Sequence, residues 1–161
     1  MKNQLSFFDE RKSEPRCVAQ KYKLLLVKEQ SYSYNSQLKN VNSAVEFLKK
    51  HLLLHCEPEE VFIVICLDLQ LNVTAVFEVA RGTTNTALVS THEIFKRVLL
   101  TNCNSIIIAH NHPGGSERPS MDDINTTKKI KEAAQLLDIK LNDHIIITEN
   151  NYYSFAEAGI L

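Results

Sequence analysis

The chain has 161 residues, enough for one compact domain, and 44% of them are hydrophobic, enough for a genuine core. Its 18 basic and 19 acidic residues leave a net charge of −1, which removes the global pull of a basic domain towards nucleic acid; direct binding is disfavoured but left open. No apolar run is long enough for a membrane span or a secretory leader, so the expectation is a cytoplasmic protein with no membrane partner, and composition leaves its oligomeric state open.

The first ten residues and the polar run Arg11-Lys12-Ser13-Glu14-Pro15-Arg16 predict a flexible amino-terminal arm over 1–20, ahead of one domain over 21–161. Tyr22 to Lys28 predicts a first strand. Val41, Ala44, Val45, Leu48 and Leu52 have the three-and-four spacing of an amphipathic helix. His51 and His55 stand four apart in this segment, as in a metal-binding H-E-x-x-H helix, but Leu52 occupies the glutamate's place. Both histidines share a stripe with Ala44 and Leu48, so they read as the edge of a packed face.

Val61 to Asp68 and Val73 to Val79 predict a hairpin across Leu69 to Asn72, after which Arg81-Gly82-Thr83 turns the chain towards a strand ending near Val89. Thr91 is the expected cap of a helix through Leu100, with His92 in its first turn. The β-branched run Ser105 to Ala109 predicts a buried strand. Ile130, Ala133, Ala134 and Leu137 mark the buried side of a further helix, whose Lys128, Lys129 and Lys131 read as a solvated face, and residues 144–155 supply a last hairpin. The four cysteines lack any C-x-x-C spacing and read as reduced thiols, with Cys66 and Cys103 as small core residues. This order of elements predicts an α/β sandwich with a curved mixed sheet flanked by helices.

The chemistry concentrates in the run from His110 to Asp123. Strand alternation continued from Ile108-Ala109 puts His110 and His112 on one side and Asn111 on the other, so two imidazoles face one point. Pro113-Gly114-Gly115 breaks the strand, and Pro119-Ser120 before Met121-Asp122-Asp123 opens a helix that offers a carboxylate from its first turn. Two neutral nitrogens, one carboxylate and an open fourth position fit a catalytic zinc rather than a closed structural site. Such a zinc lowers the pKa of its water from 15.7 towards about 7, and a second carboxylate is then needed as general base. Ser120 and Asp123 also fit a helix cap that requires no metal; the joint occurrence of both histidines, the glycine turn, the serine and the aspartate favours the metal site.

The spacing His-x-His, seven residues, Ser, two residues, Asp resembles the JAMM or MPN-plus signature of zinc peptidases and isopeptidases. More narrowly, Phe77 to Thr83, Val89 to Arg97, Ile108 to Pro113 and Asp143 to Ile146 resemble the RadC family JAB domain, a likeness covering roughly residues 41–161. The resemblance implies a JAB/MPN-like, cytidine-deaminase-like fold, with zinc on His110, His112 and Asp123 and with Ser120 steadying the oxyanion. It also implies a glutamate at the start of an upstream strand. Glu60 is the choice, since Glu59 would project to the other face and Glu57 precedes a proline. His144, in the resembling Asp-His pair, is either a support behind a ligand or a core-edge histidine.

The expected function is therefore zinc-dependent hydrolysis of a protein or peptide amide. The alternative is a DNA-repair or mobile-element accessory protein whose metal site only binds or stabilises. Full-length relatives carry an amino-terminal helix-hairpin-helix whose glycine-bearing hairpin has no counterpart here, because the first glycine is Gly82. Gly114 stands where the family's turn commonly has serine. Asn111 stands where ubiquitin-cleaving enzymes have serine or threonine, which weakens a deubiquitinase reading.

Overall fold

Seven consecutive buried residues, Val61 to Leu67, make up nearly all of strand β1 (Glu60–Leu67), and strand β3 (Ser105–Asn111) is buried from end to end. A strand that hides every side chain needs cover on both faces of its sheet, and this explains why neither run alternates between apolar and polar residues. The computed structural model describes residues 19–23, 25–34, 37–82 and 89–161. Most of the expected arm, and the stretch 83–88 before the expected strand end at Val89, lie outside the described residues.

Among the described residues the sheet has five strands in the order β2-β1-β3-β4-β5, completed by β2 (Val73–Gly82), β4 (Lys140–Ile147) and β5 (Tyr152–Ser154). Only β3 and β4 run parallel; the other pairs are antiparallel, so the sheet is mixed as expected. Helix α1 (Val41–Lys50) covers one face, where Ala44, Phe47 and Leu48 meet Ile63, Ile65, Ile107 and Ile145. Helices α2 (Thr91–Thr101) and α3 (Met121–Leu136) belong to the other, where Ile94, Val98, Ile130 and Ala134 meet Val64, Cys66, Ile106 and Ile108. The result is an α/β sandwich with a mixed sheet between helices.

Several sequence expectations shift. Tyr22 to Lys28 forms no strand in its described residues: Tyr22, Leu25 and Val27 are 79%, 73% and 90% exposed. A strand exists only by pairing, and none of the five strands pairs with the described residues of this segment. Helix α1 stops at Lys50, with His51 as its C-cap and Leu53 in the left-handed region at φ 52°. His55 therefore sits in a separate 3₁₀ turn (Leu54–Cys56), and the two histidines do not share one helix face. Arg81 and Gly82 are not a turn but the end of β2. Val89 lies outside any strand, and Ser90 rather than Thr91 is the N-cap of α2. Leu137 is the C-cap of α3 and 40% exposed, not part of its buried side.

Other expectations hold. Cys66 is buried, Cys103 packs partly buried against the same cluster, and both are free thiols, as is Cys56. His92 lies in the first turn of α2, and Lys128 and Lys129 are exposed on α3. No helix among the described residues is long and apolar enough to cross a membrane.

Ile65 lies at the centre of β1 with no exposed surface. Ile65→Ala is expected to destabilise the fold by about 2–5 kcal/mol, through lost burial and an unfilled cavity. Urea unfolding checks this as a lowered midpoint at unchanged slope.

Candidate metal centre

The central strand β3 delivers the site. Its neighbours fix its register on both sides, Phe62 opposite His110 in β1 and Ile146 opposite His110 in β4. His110 thus falls on the face of α2 and α3, stacked on Phe62 with ring centroids 5.9 Å apart and planes at 10°. Asn111 falls on the opposite face. His112 follows immediately, its amide still donating to the Ile147 carbonyl at 3.0 Å, and it returns to the side of His110. The turn after it closes with the Gly115 amide donating to the His112 carbonyl; Gly115 has φ +81°, which disfavours any residue with a Cβ. Gly114 is different, since a Cβ there meets nothing within 4 Å, so a serine at this place fits equally well.

Helix α3 brings the carboxylate. Ser120 is its N-cap in a full capping box: the Asp123 amide donates to Ser120 Oγ at 3.1 Å, and Asp123 Oδ2 accepts from the Ser120 amide and hydroxyl at 2.7 Å each. The capping and ligand readings of this pair are compatible, because one carboxylate has two oxygens. Oδ2 serves the cap, and Oδ1 lies 3.2 Å from His110 Nε2.

Three side chains consequently converge. His110 Nε2 is 3.0 Å from His112 Nε2 and 3.2 Å from Asp123 Oδ1, while His112 Nε2 is 3.7 Å from the other oxygen, Oδ2, which the cap also uses. Four ligands at zinc bond lengths of about 2.0–2.1 Å in a tetrahedron stand about 3.3 Å apart, and the observed separations bracket this value. His112 Nδ1 lies 2.7 Å from the Ser116 carbonyl, which can only accept, so Nδ1 donates there and Nε2 is the nitrogen turned to the cluster. The donor set and its spacing fit a divalent metal such as zinc. The His110 side chain is 1% exposed, whereas those of His112 and Asp123 are 18% and 15% exposed, so the point of convergence is open on one side.

Burial raises the Asp123 carboxyl, but the hydrogen bond and charge of His110, together with the Ser120 hydroxyl and amide, outweigh it and hold the group well below the usual carboxylate range. His144 is fully buried between His110 and Phe155, and burial, followed by the charge of His110, holds its imidazole well below the usual range.

Glu60 opens β1 in a half-buried position with the same alternation as Phe62, hence on the side of His110. One alternation step back from the Phe62–His110 pair sets Glu60 level with His112. Its carboxylate is not among the three groups that converge. Glu59 is exposed with the opposite alternation, and Glu57 is bound to Arg81, with Nη1 to Oε2 at 2.6 Å. A cleft of about 360 Å³ adjoins His112, lined among others by His55, Glu57, Thr148 and Asn151.

Sequence reading missed the work of Asn111. Its Oδ1 accepts from the Val61 amide at 2.8 Å, and its Nδ2 donates to the Glu57 and Glu59 carbonyls at 3.0 and 2.9 Å, so one side chain ties the start of β1 to the end of β3. The available signal was a lone amide on the apolar face of a buried strand, which must find partners. Thr127 was also missed: its hydroxyl meets both the Asp123 carbonyl and His144 Nδ1 at 2.6 Å.

These features define an α/β sandwich with a three-residue, metal-type centre at the end of its central strand. The RadC-like JAB domain family model matches residues 38–160, and the chain belongs to that family. Among similar proteins, a UPF0758 protein from Janthinobacterium sp. (strain Marseille) is 38% identical over 149 residues, covering 91% of this chain and 66% of the relative. One from Clostridium beijerinckii is 43% identical over 103 residues, 64% of this chain and 45% of the relative. A third, from Aquifex aeolicus, is 39% identical over 124 residues, 77% of this chain and 52% of the relative. The chain therefore spans about half to two thirds of the length of these relatives.

Asn111→Ala removes three hydrogen bonds from a side chain that is 1% exposed, and leaves the Val61 amide and two carbonyls without this partner. At about 1 kcal/mol for each bond, the variant is expected to lose about 2–4 kcal/mol in chemical denaturation, while Asn111→Asp, which sets a buried carboxylate oxygen against the Glu57 and Glu59 carbonyls, loses at least as much.

Proposed function

We propose that this domain is a zinc-dependent hydrolase of peptide or isopeptide amides, with His110, His112 and Asp123 as metal ligands, Glu60 as general base and Ser120 as oxyanion donor. The single observation behind the reading is the approach of His110 Nε2, His112 Nε2 and an Asp123 carboxylate oxygen to within ligand spacing, at a point partly open to solvent. A bound zinc supplies Lewis acidity, polarising the amide carbonyl and acidifying water at neutral pH. Glu60 takes the proton that the attacking water releases and passes it to the departing amine, so the carboxylate ends as it began. The Ser120 hydroxyl rests on Asp123 Oδ2, and its O–H turns out of the cap to meet the oxyanion as charge develops there.

Protein purified without added metal is expected to carry near-stoichiometric zinc. His112→Ala is expected to lose it and Glu60→Gln to retain it, as read by elemental analysis. Against a pool of peptides and isopeptide-linked conjugates, Glu60→Gln is expected to lower turnover by about 10²–10⁴-fold at unchanged metal content. Wild-type protein that takes up neither zinc nor another divalent metal refutes the hydrolase reading, and leaves Ser120 and Asp123 as a helix cap in a binding module.

A further inference from the structure

Behind His110 lies a chain of hydrogen bonds whose direction is set once a metal occupies Nε2 of His110. Thr127 Oγ1 is 2.6 Å from the Asp123 carbonyl, and a carbonyl only accepts, so the hydroxyl proton is committed there. The same oxygen is 2.6 Å from His144 Nδ1, and with its own proton spent it accepts from an Nδ1–H. His144 has no exposed surface and stacks on Phe155 at 4.5 Å and 12°, and both ring nitrogens bond to neutral types of group rather than to a carboxylate. A neutral ring with its proton on Nδ1 leaves Nε2 as a lone pair, 2.9 Å from His110 Nδ1. When a metal takes the place of the 3.2 Å contact between His110 Nε2 and Asp123 Oδ1, His110 keeps its proton on Nδ1 and donates to His144 Nε2.

We propose that His144, with Thr127 behind it, is a positioning residue that fixes the tautomer and ring orientation of His110 and couples them to the backbone of Asp123. The inference rests on reading the cluster as a metal centre and goes further, assigning a task to two residues outside it. The line His110 Nδ1–H to His144 Nε2, His144 Nδ1–H to Thr127 Oγ1, and Thr127 O–H to the Asp123 carbonyl starts at one ligand residue and ends on the peptide of another. It joins β3, β4 and α3 through atoms that cannot slide independently. A metal-bound histidine usually gives its second N–H to a carboxylate, a carbonyl or water. Here a neutral imidazole takes that place, so His110 is oriented without a second negative charge beside the metal. His112 reaches the same state through the Ser116 carbonyl. With both Nδ1 atoms engaged in this way, the two Nε2 atoms, 3.0 Å apart, are the positions left to a cation.

Two measurements on the full chain test this. In zinc-loaded protein labelled at histidine nitrogen, two-bond proton–nitrogen correlation is expected to report the Nδ1–H tautomer for both His144 and His110. An Nε2–H tautomer at either residue overturns the proposal. In chelator competition, His144→Leu is expected to weaken zinc binding by about 10–100-fold. His144→Gln, whose Oε1 can accept from His110 Nδ1, is expected to recover most of that loss, a rescue that simple cavity filling does not predict. If His144→Leu does not fold, Thr127→Val carries the test, since it keeps the shape and removes both hydroxyl bonds; weaker zinc binding and a mixed His144 tautomer are expected. Zinc affinity equal to wild type in the folded variants overturns the positioning role while leaving the metal centre intact. Wild-type protein that binds no divalent metal overturns the metal reading itself, and this proposal with it.

Discussion

The register of β3 between β1 and β4 is the constraint on which the rest of the molecule depends. With side chains alternating across a sheet covered on both faces, a slip of one residue would send His110 into the α1 core and Asn111 into the candidate metal centre. Two different bonding patterns prevent the slip: an antiparallel ladder to β1, with Phe62 opposite His110, and a parallel one to β4, with Ile146 opposite His110. Ile106, Ile107, Ile108 and Ala109 are buried on both faces and hold the strand in the core, while the partners of His110 on one face and of Asn111 on the other distinguish the correct register. The site inherits its accuracy from that core.

Asn111 uses the same alternation in the other direction. While His110 points to the centre, Asn111 points away and gathers the Val61 amide and the Glu57 and Glu59 carbonyls. The backbone on both sides of Glu60 is thereby tied to the strand that carries the histidines. On the far side, the capping box of α3 fixes Asp123 through its own helix start, so one carboxylate ends a helix and faces two imidazoles. Backbone bonding that each of these segments needs in any case also sets the geometry of the centre.

Local pattern carried much of this in the sequence. The strand before His110, the break at Pro113-Gly114-Gly115 and the start of α3 at Ser120 were legible because each depends on neighbours within a few residues. Tyr22 to Lys28 misleads because apolar alternation states a capacity to pair, not the presence of a partner; the described residues of that segment find none. His51 and His55 look like one helical stripe because nothing before Leu53 announces the left-handed turn that separates them. Arg81-Gly82 looks like a turn on the strength of its glycine, yet the ladder to β1 continues through Gly82 opposite Glu60.

Taken by itself, the sequence determined the identity and spacing of the metal-type residues, the α/β class and the family to which the chain belongs. Those properties follow from periodicity and short-range turn and cap chemistry, which act within a few residues of chain. Only the tertiary structure decided which distant groups stand behind them: His144 reaching His110 from β4, Thr127 of α3 reaching His144, Asn111 clasping β1, and Arg81 occupying Glu57. Such contacts span 17 to 54 positions along the chain. They form only where a sheet with both faces buried brings its strands into one register, and no local pattern encodes that meeting.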